Sequence, residues 1–227
     1  MKTTLKWTGG ALAALTGTAV LCSCGTVIQG NENSYTVVYD GVTFYSQTFY
    51  CADSDRERLG KAESGADVLS VGGFDPPRYL LVEGSDNSGC FIADGESVPT
   101  SGQVTKALID PGVRADNSKE LSKKEELDML EELSGLTGEP RTFTIDNYFT
   151  DGNSFYYVYD DSGVSCEENW GGYVAYAQGE WIYISPDPDR TYDWGEGNSV
   201  TVTAIAIKDQ DLIQRMCSTD LTKYIEY

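Results

Sequence analysis

From residue 35 to residue 207 the chain keeps returning to short runs of aromatic and β-branched residues, each closed within a few positions by Asp-Gly, Gly-Gly, Gln-Gly or Pro. Runs of that kind read as strands joined by tight turns, and antiparallel sheet is the architecture they permit. YTVVY (35–39) and VTFYSQTFY (42–50) flank Asp40-Gly41, the strongest short-range hairpin signal. ADVLSV (66–71), RYLLVE (78–83) and GCFIADGE (89–96) extend this strand-rich half. The second half repeats the style with RTFTIDNYF (141–149), SFYYVYDDSG (154–163) and GGYVAYAQGEWIYIS (171–185). Turns are expected at Asp151-Gly152, across 160–163 and at Gln178-Gly179, and SVTVTAIAI (199–207) is the most β-prone run of all.

One segment keeps helical time instead. Leu127, Leu130 and Leu133, with Met129 beside them, recur at the spacing of a helix face. Ser122 and Glu125 make a capping box, and Gly135 falls where a left-handed C-cap belongs. The spacing predicts an amphipathic helix near 122–134, packed on a sheet. DQDLIQRMC (209–217) predicts a short C-terminal helix. The expected fold class is α+β, with antiparallel sheets in two lobes or two small domains. The lobes are residues 35–96 and 118–227, the latter including the helix, and 97–117 (with Pro99 and Pro111) is a connector.

The N-terminus reads differently. Lys2 and Lys6 precede the uncharged, mostly small or apolar run 8–21, which is the pattern of a secretory signal and too short to span a membrane. The run ends in Leu21-Cys22-Ser23-Cys24, which resembles the bacterial lipobox. The resemblance implies a signal peptide over 1–23, a lipidated Cys24 as mature N-terminus and a tether over 24–34. Acylated there, for example with palmitate, the protein would sit at the cell membrane, exposed on its extracytoplasmic side. The pattern GK…V…G.DP.RYLL in residues 60–81 also resembles domains of uncharacterised lipoproteins of Gram-positive bacteria, a resemblance that carries no activity.

Charge narrows the partners. With 36 acidic against 16 basic residues the net charge is −20, and loss of Lys2 and Lys6 with the signal makes it more negative. Such a surface repels nucleic-acid backbones and anionic headgroups alike, so the membrane contact is the lipid anchor alone. There is no histidine. That removes Ser-His-Asp and Cys-His catalysis, His-ligated zinc and the commonest general base near neutral pH. No catalytic residue and no cofactor are assigned from the sequence.

Apart from the lipidated Cys24, four cysteines remain after processing, and in an exported chain they suggest disulfides. Cys51 with Cys90 and Cys166 with Cys217 is the favoured pairing, each bridge contributing about 3–4 kcal/mol by loop entropy. CEENWGGYVAYAQGEW (166–181) concentrates Trp170, Tyr173, Tyr176 and Trp181 beside Glu167, Glu168 and Glu180. It is the candidate ligand surface, or else sheet packing. Asp187, Asp189, Asp193 and Glu196 make one acidic loop that could hold Ca2+ through oxygen ligands, although it departs from the EF-hand pattern. The function expected is a non-catalytic recognition module for another protein or a cell-envelope ligand, such as a glycan. Its alternatives are a carboxylate-based glycan-active enzyme and a calcium-stabilised structural adhesin.

Overall fold

The computed structural model describes residues 5–7, 26–31, 34–61, 65–84, 88–109, 119–186, 192–223 and 225. The chain forms two compact units, one of residues 1–98 with 162–164, the other of 99–161 with 165–227. Both are mostly antiparallel sheet, and the two α-helices among the described residues lie in the second.

The first unit carries β1 (Leu5–Trp7), β2 (Thr26–Asn31), β3 (Ser34–Tyr39), β4 (Val42–Ser46), β5 (Tyr50–Cys51), β6 (Arg56–Lys61), β7 (Asp67–Val71), β8 (Tyr79–Glu83) and β9 (Gly89–Ala93). Its sheet runs β1-β2-β3-β4-β9-β8-β7-β6. The Asp40-Gly41 hairpin forms as expected: Tyr39 faces Val42, and φ is +51° at Asp40 and +85° at Gly41. Positive φ at both central residues matches the right-handed twist of the flanking strands. One face buries Val37, Phe44, Val68, Leu80, Val82 and Phe91. On β8 the intervening Tyr79 and Leu81 are buried as well, and Phe49 packs edge-on against Tyr79 at 5.7 Å between centroids. Residues 26–31, expected as part of a tether, are strand β2, and the Leu21-Cys22-Ser23-Cys24 motif lies outside the described residues.

The second unit carries β10 (Val104–Ile109), β11 (Lys119–Leu121), α1 (Lys124–Ser134), β12 (Arg141–Ile145), β13 (Gly152–Tyr159), β14 (Val164–Ser165, at the change of unit), β15 (Trp170–Ala177), β16 (Glu180–Ile184), β17 (Asp193–Trp194), β18 (Val200–Ala206) and α2 (Gln210–Cys217). The order is β11-β10-β13-β15-β16-β18-β12, with β17 paired to β18. Val104–Ile109 falls in the segment read as a connector. It pairs with both β11 and β13, because its alternating residues bury Ala107 and Ile109 under the helices.

Helix α1 starts one residue later than expected. Glu126, not Glu125, turns its carboxylate back to accept the backbone N–H groups of Ser122 and Lys123, each at 3.1 Å. Gly135 ends the helix at φ −88° and ψ 0°, outside the left-handed region, with its N–H still on the Glu131 carbonyl. Met129, Leu130 and Leu133 face the sheet, where Leu212 and Met216 of α2 join them over Phe155, Val174, Trp181 and Tyr183. Helix α2 is capped by Asp209, whose carboxylate accepts from Asp211 and Leu212, and Arg215 pairs with Glu132 on α1. Replacing Asp209 by alanine is expected to lower stability by about 1 kcal/mol in denaturant titration.

The opposite face of this sheet closes on itself. Phe143 and Ile145 of β12 share a buried cluster with Tyr173 and Ala175 of β15, although β16 and β18 lie between them in hydrogen-bond order. Flat strands about 4.8 Å apart would hold them too far apart to touch, so the sheet curls. That curl brings the end of β12 and the start of β18 over the start of β15.

Candidate recognition surface

At the β12 end of the curled sheet the chain leaves Ile145 through Asp146-Asn147-Tyr148-Phe149-Thr150-Asp151 before β13. The turn is tightly held. Asn147 N–H donates to the Asp151 carboxylate at 2.8 Å, Asp151 N–H returns to the Asn147 carbonyl at 2.8 Å, and the Thr150 hydroxyl donates to Asp151 at 2.9 Å. A second loop, 192–199, carries Trp194 on β17 opposite Val200. The loops are joined by Tyr148 N–H donating to the Asn198 carbonyl at 3.0 Å.

This junction gathers aromatics. Tyr148 stacks on Tyr173 with centroids 4.4 Å apart and planes 6° apart, and the Tyr173 hydroxyl donates to the Tyr148 carbonyl at 2.5 Å. Phe149, Tyr192 and Trp194 stand edge-on to Tyr148 at 5.9, 5.9 and 5.5 Å. Phe149 and Trp194 lie within 22° of parallel, 6.1 Å apart. Tyr173 is 2 % exposed, whereas Phe149 is 68 % and Trp194 52 % exposed. A buried, hydrogen-bonded ring thus supports a layer that ends in two rings open to solvent. Clustered exposed aromatics mark interaction sites, whereas single ones need no explanation.

The residues singled out from sequence go elsewhere. Tyr173 is the buried floor of this surface, and Trp181 is buried on the other face under the helices, with Tyr176 edge-on to it at 5.3 Å. Trp170 is half-buried on the Tyr173 side. Strand alternation therefore splits the four rings between two faces. Glu180 pairs with Arg141 at the start of β16, while Glu167 and Glu168 precede β15. The eight residues of β15 between those ends span roughly 26 Å, well beyond the ~5–10 Å that glycoside hydrolysis asks of two carboxylates. A cleft of about 800 Å3 does run beside α1. Of its carboxylates, Asp128 is held by Lys124 at 2.6 Å, and its Tyr157 hydroxyl shares a hydrogen bond with Ser134 at 2.7 Å.

In the acidic loop, Asp187 and Asp189 lie outside the described residues, and Asp193 and Glu196 are exposed. Among the described residues no group of three or more His, Cys, Asp or Glu could hold a metal ion.

The disulfide expectation is corrected: Cys51, Cys90, Cys166 and Cys217 are free thiols. Their contacts are with other groups. Cys51 hydrogen-bonds Arg56, Cys90 donates to the Phe49 carbonyl at 3.5 Å, Cys166 bonds Glu168, and Cys217 is exposed on α2. Burial pushes the Cys51 and Cys166 thiols up to about 11. Cys217 is open to solvent, so it is expected to react with a thiol reagent in the folded protein while the three buried thiols, which burial holds protonated, react only on unfolding. The raised values also set the sign of an alkaline effect. Folding favours the protonated thiol, so this stabilisation is complete below the unfolded value of 9.0 and is lost as pH rises through about 11. Burial likewise raises Tyr157 to about 12, from 10.0. Melting temperature is therefore expected to fall across that alkaline window.

Compared with known proteins, the chain matches no family model, no curated protein and no solved structure. Among the described residues no helix is long and apolar enough to cross a membrane.

Proposed function

We propose that the chain is an exported bacterial lipoprotein, anchored through Cys24 at the extracytoplasmic face of the cell membrane, that recognises another protein or a cell-envelope ligand without catalysing a reaction. The observation that carries the recognition reading is the exposure of Phe149 and Trp194 on a rigid two-loop mount. Leaving two large rings in water forgoes roughly 1.5–3 kcal/mol apiece of burial, a loss that binding recovers when a partner covers them. The lipobox resemblance supports the anchor, and cleavage before Cys24 would remove β1, which pairs with both β2 and β3.

The chain immobilised without residues 1–23 is expected to retain a defined component of a bacterial envelope fraction, and Phe149→Ala with Trp194→Ala to lower that retention by about tenfold or more. Equal retention by the variant would refute the reading. Mass spectrometry of the protein expressed in a lipoprotein-processing bacterium should find an acylated N-terminus at Cys24, and Cys24→Ala should abolish it.

The glycan-active alternative has the α1 cleft in its favour, with Glu131 and Asp161 on its walls. The calcium-stabilised adhesin retains the acidic loop, of which Asp193 and Glu196 are described. Neither has a feature comparable to the paired open rings.

A further inference from the structure

We infer that the Phe149 and Trp194 surface takes a positively charged protein segment, stacking Arg or Lys head groups on its rings and pairing them with the carboxylates around it; this rests on the recognition reading above. Among the described residues, the two stretches that supply the rings, 146–151 and 192–199, carry Asp146, Asp151, Asp193 and Glu196 and no Lys or Arg, and Arg190 lies outside the described residues. Asp146, Asp193 and Glu196 are exposed. Asp151 is engaged within its own turn and holds the ring-bearing loop. The exposed carboxylates of the two ring-bearing stretches are therefore of one sign, with Asp193 and Glu196 within two residues of Trp194 and Asp146 three residues before Phe149, on a chain whose net charge is −20.

Rings and carboxylates favour the same ligand. An aromatic face is the negative region of the ring quadrupole and attracts a cation within about 6 Å of its centroid. A carboxylate beside the ring accepts a charge-assisted hydrogen bond, which the planar guanidinium donates with the best-matched geometry. The chain already uses this geometry internally: the Arg78 guanidinium lies 4.6 Å from the Phe74 centroid, and that of Arg141 lies 5.0 Å from Phe143. An anionic lipid or teichoic-type polymer meets repulsion from all three carboxylates. A neutral sugar would stack on the rings and leave the carboxylates unused.

Openness then separates a small cation from a segment. Sites for small ligands enclose about 70–90 % of the ligand surface. Rings that are 68 % and 52 % exposed form a platform instead of a pocket. A chain lying across the platform can place successive cationic side chains on both rings.

The test is calorimetric titration of the chain lacking residues 1–23 with a short Arg-rich peptide and with the same peptide carrying citrulline at every Arg. Trp194→Ala, which changes no charge, is expected to weaken binding by about tenfold or more, the scale of an aromatic anchor. Asp193→Asn with Glu196→Gln should weaken it by about tenfold and flatten its salt dependence. The charge-matched pair Glu125→Gln with Glu139→Gln, exposed elsewhere on the second unit, should leave it unchanged. The citrulline peptide should not bind. Equal weakening by the two charge-neutralised pairs, or equal binding of the citrulline peptide, overturns the inference. So does a Trp194-dependent dimer in sedimentation, which would make a second copy the occupant. Should the Arg peptide fail while envelope glycan fragments bind in a Trp194-dependent way, the cationic ligand is refuted and the recognition reading stands. Failure of both refutes both.

Discussion

Gly152→Ala is expected to lower the stability of the second unit by about 2–3 kcal/mol and to weaken ligand capture beyond what that loss explains. A Cβ at Gly152 would lie 2.3 Å from Cζ, 2.4 Å from the hydroxyl oxygen and 2.5 Å from Cε1 of Tyr173. Such contacts are cheap only when the neighbour can swing aside. Tyr173 cannot: it is 2 % exposed, stacked under Tyr148, and tied by its hydroxyl to the Tyr148 carbonyl. Relief must come from tilting the ring that supports Tyr148, and Phe149 and Trp194 both pack edge-on or alongside that residue. Differential scanning calorimetry reads the first effect. Binding measured well below the melting temperature reads the second. An alanine variant with unchanged melting temperature and full capture would mean that Tyr173 is not the floor of the surface.

Two phenylalanines six residues apart in the chain should answer the same substitution in opposite ways. Phe155→Ala removes a fully buried ring from the middle of β13, packed edge-on against Tyr157 at 5.6 Å and alongside Tyr183 at 6.5 Å. The lost burial and the cavity together are expected to lower stability by about 3–5 kcal/mol, enough to unfold a marginal domain. The site has little means of collapsing, since Phe155 also fills the space against Gly171, where an added Cβ would come within 2.2 Å of its ring. Gly171 is the extra residue of a bulge, for Phe155 faces Gly172 while Tyr156 faces Trp170. Phe149→Ala removes an exposed ring, so stability should stay within about 0.5 kcal/mol. Its effect is expected on binding alone. Denaturant titration of both variants beside capture assays separates packing from recognition, and a Phe149→Ala variant that loses stability as Phe155→Ala does would place Phe149 in the core.

Much of the fold was legible because its signals are local. Asp40-Gly41 and Gln178-Gly179 both adopt positive φ at their two central residues, and the leucine spacing of 127, 130 and 133 locates α1. What escaped depends on distant partners. Val104–Ile109 is surrounded by Gly and Pro and contains Lys106 and Ala107, poor strand formers, yet pairing on both sides makes it a strand. The recognition surface escaped for the same reason. Trp194 and Phe149 meet only because β12 and β17 both pair with β18, an arrangement no window of sequence contains. The dense aromatics of 170–181 are the louder signal, but β15 and β16 are inner strands of the curled sheet and divide them between its two faces, with Tyr173 and Trp181 buried and Trp170 and Tyr176 half-buried. A signal was present in Asp146 to Asp151, where Tyr148 and Phe149 occupy a turn built from Asn, Thr and Asp, with no strand alternation to bury them both.

Radical footprinting of the chain, alone and with a bacterial envelope fraction, tests the central claim most directly. Oxidation of Phe149 and Trp194 should fall strongly when the ligand is present, while Tyr45, 49 % exposed on the first unit, stays as it was. Unchanged oxidation of both rings, with protection appearing at Tyr45 or along the α1 cleft, would contradict it.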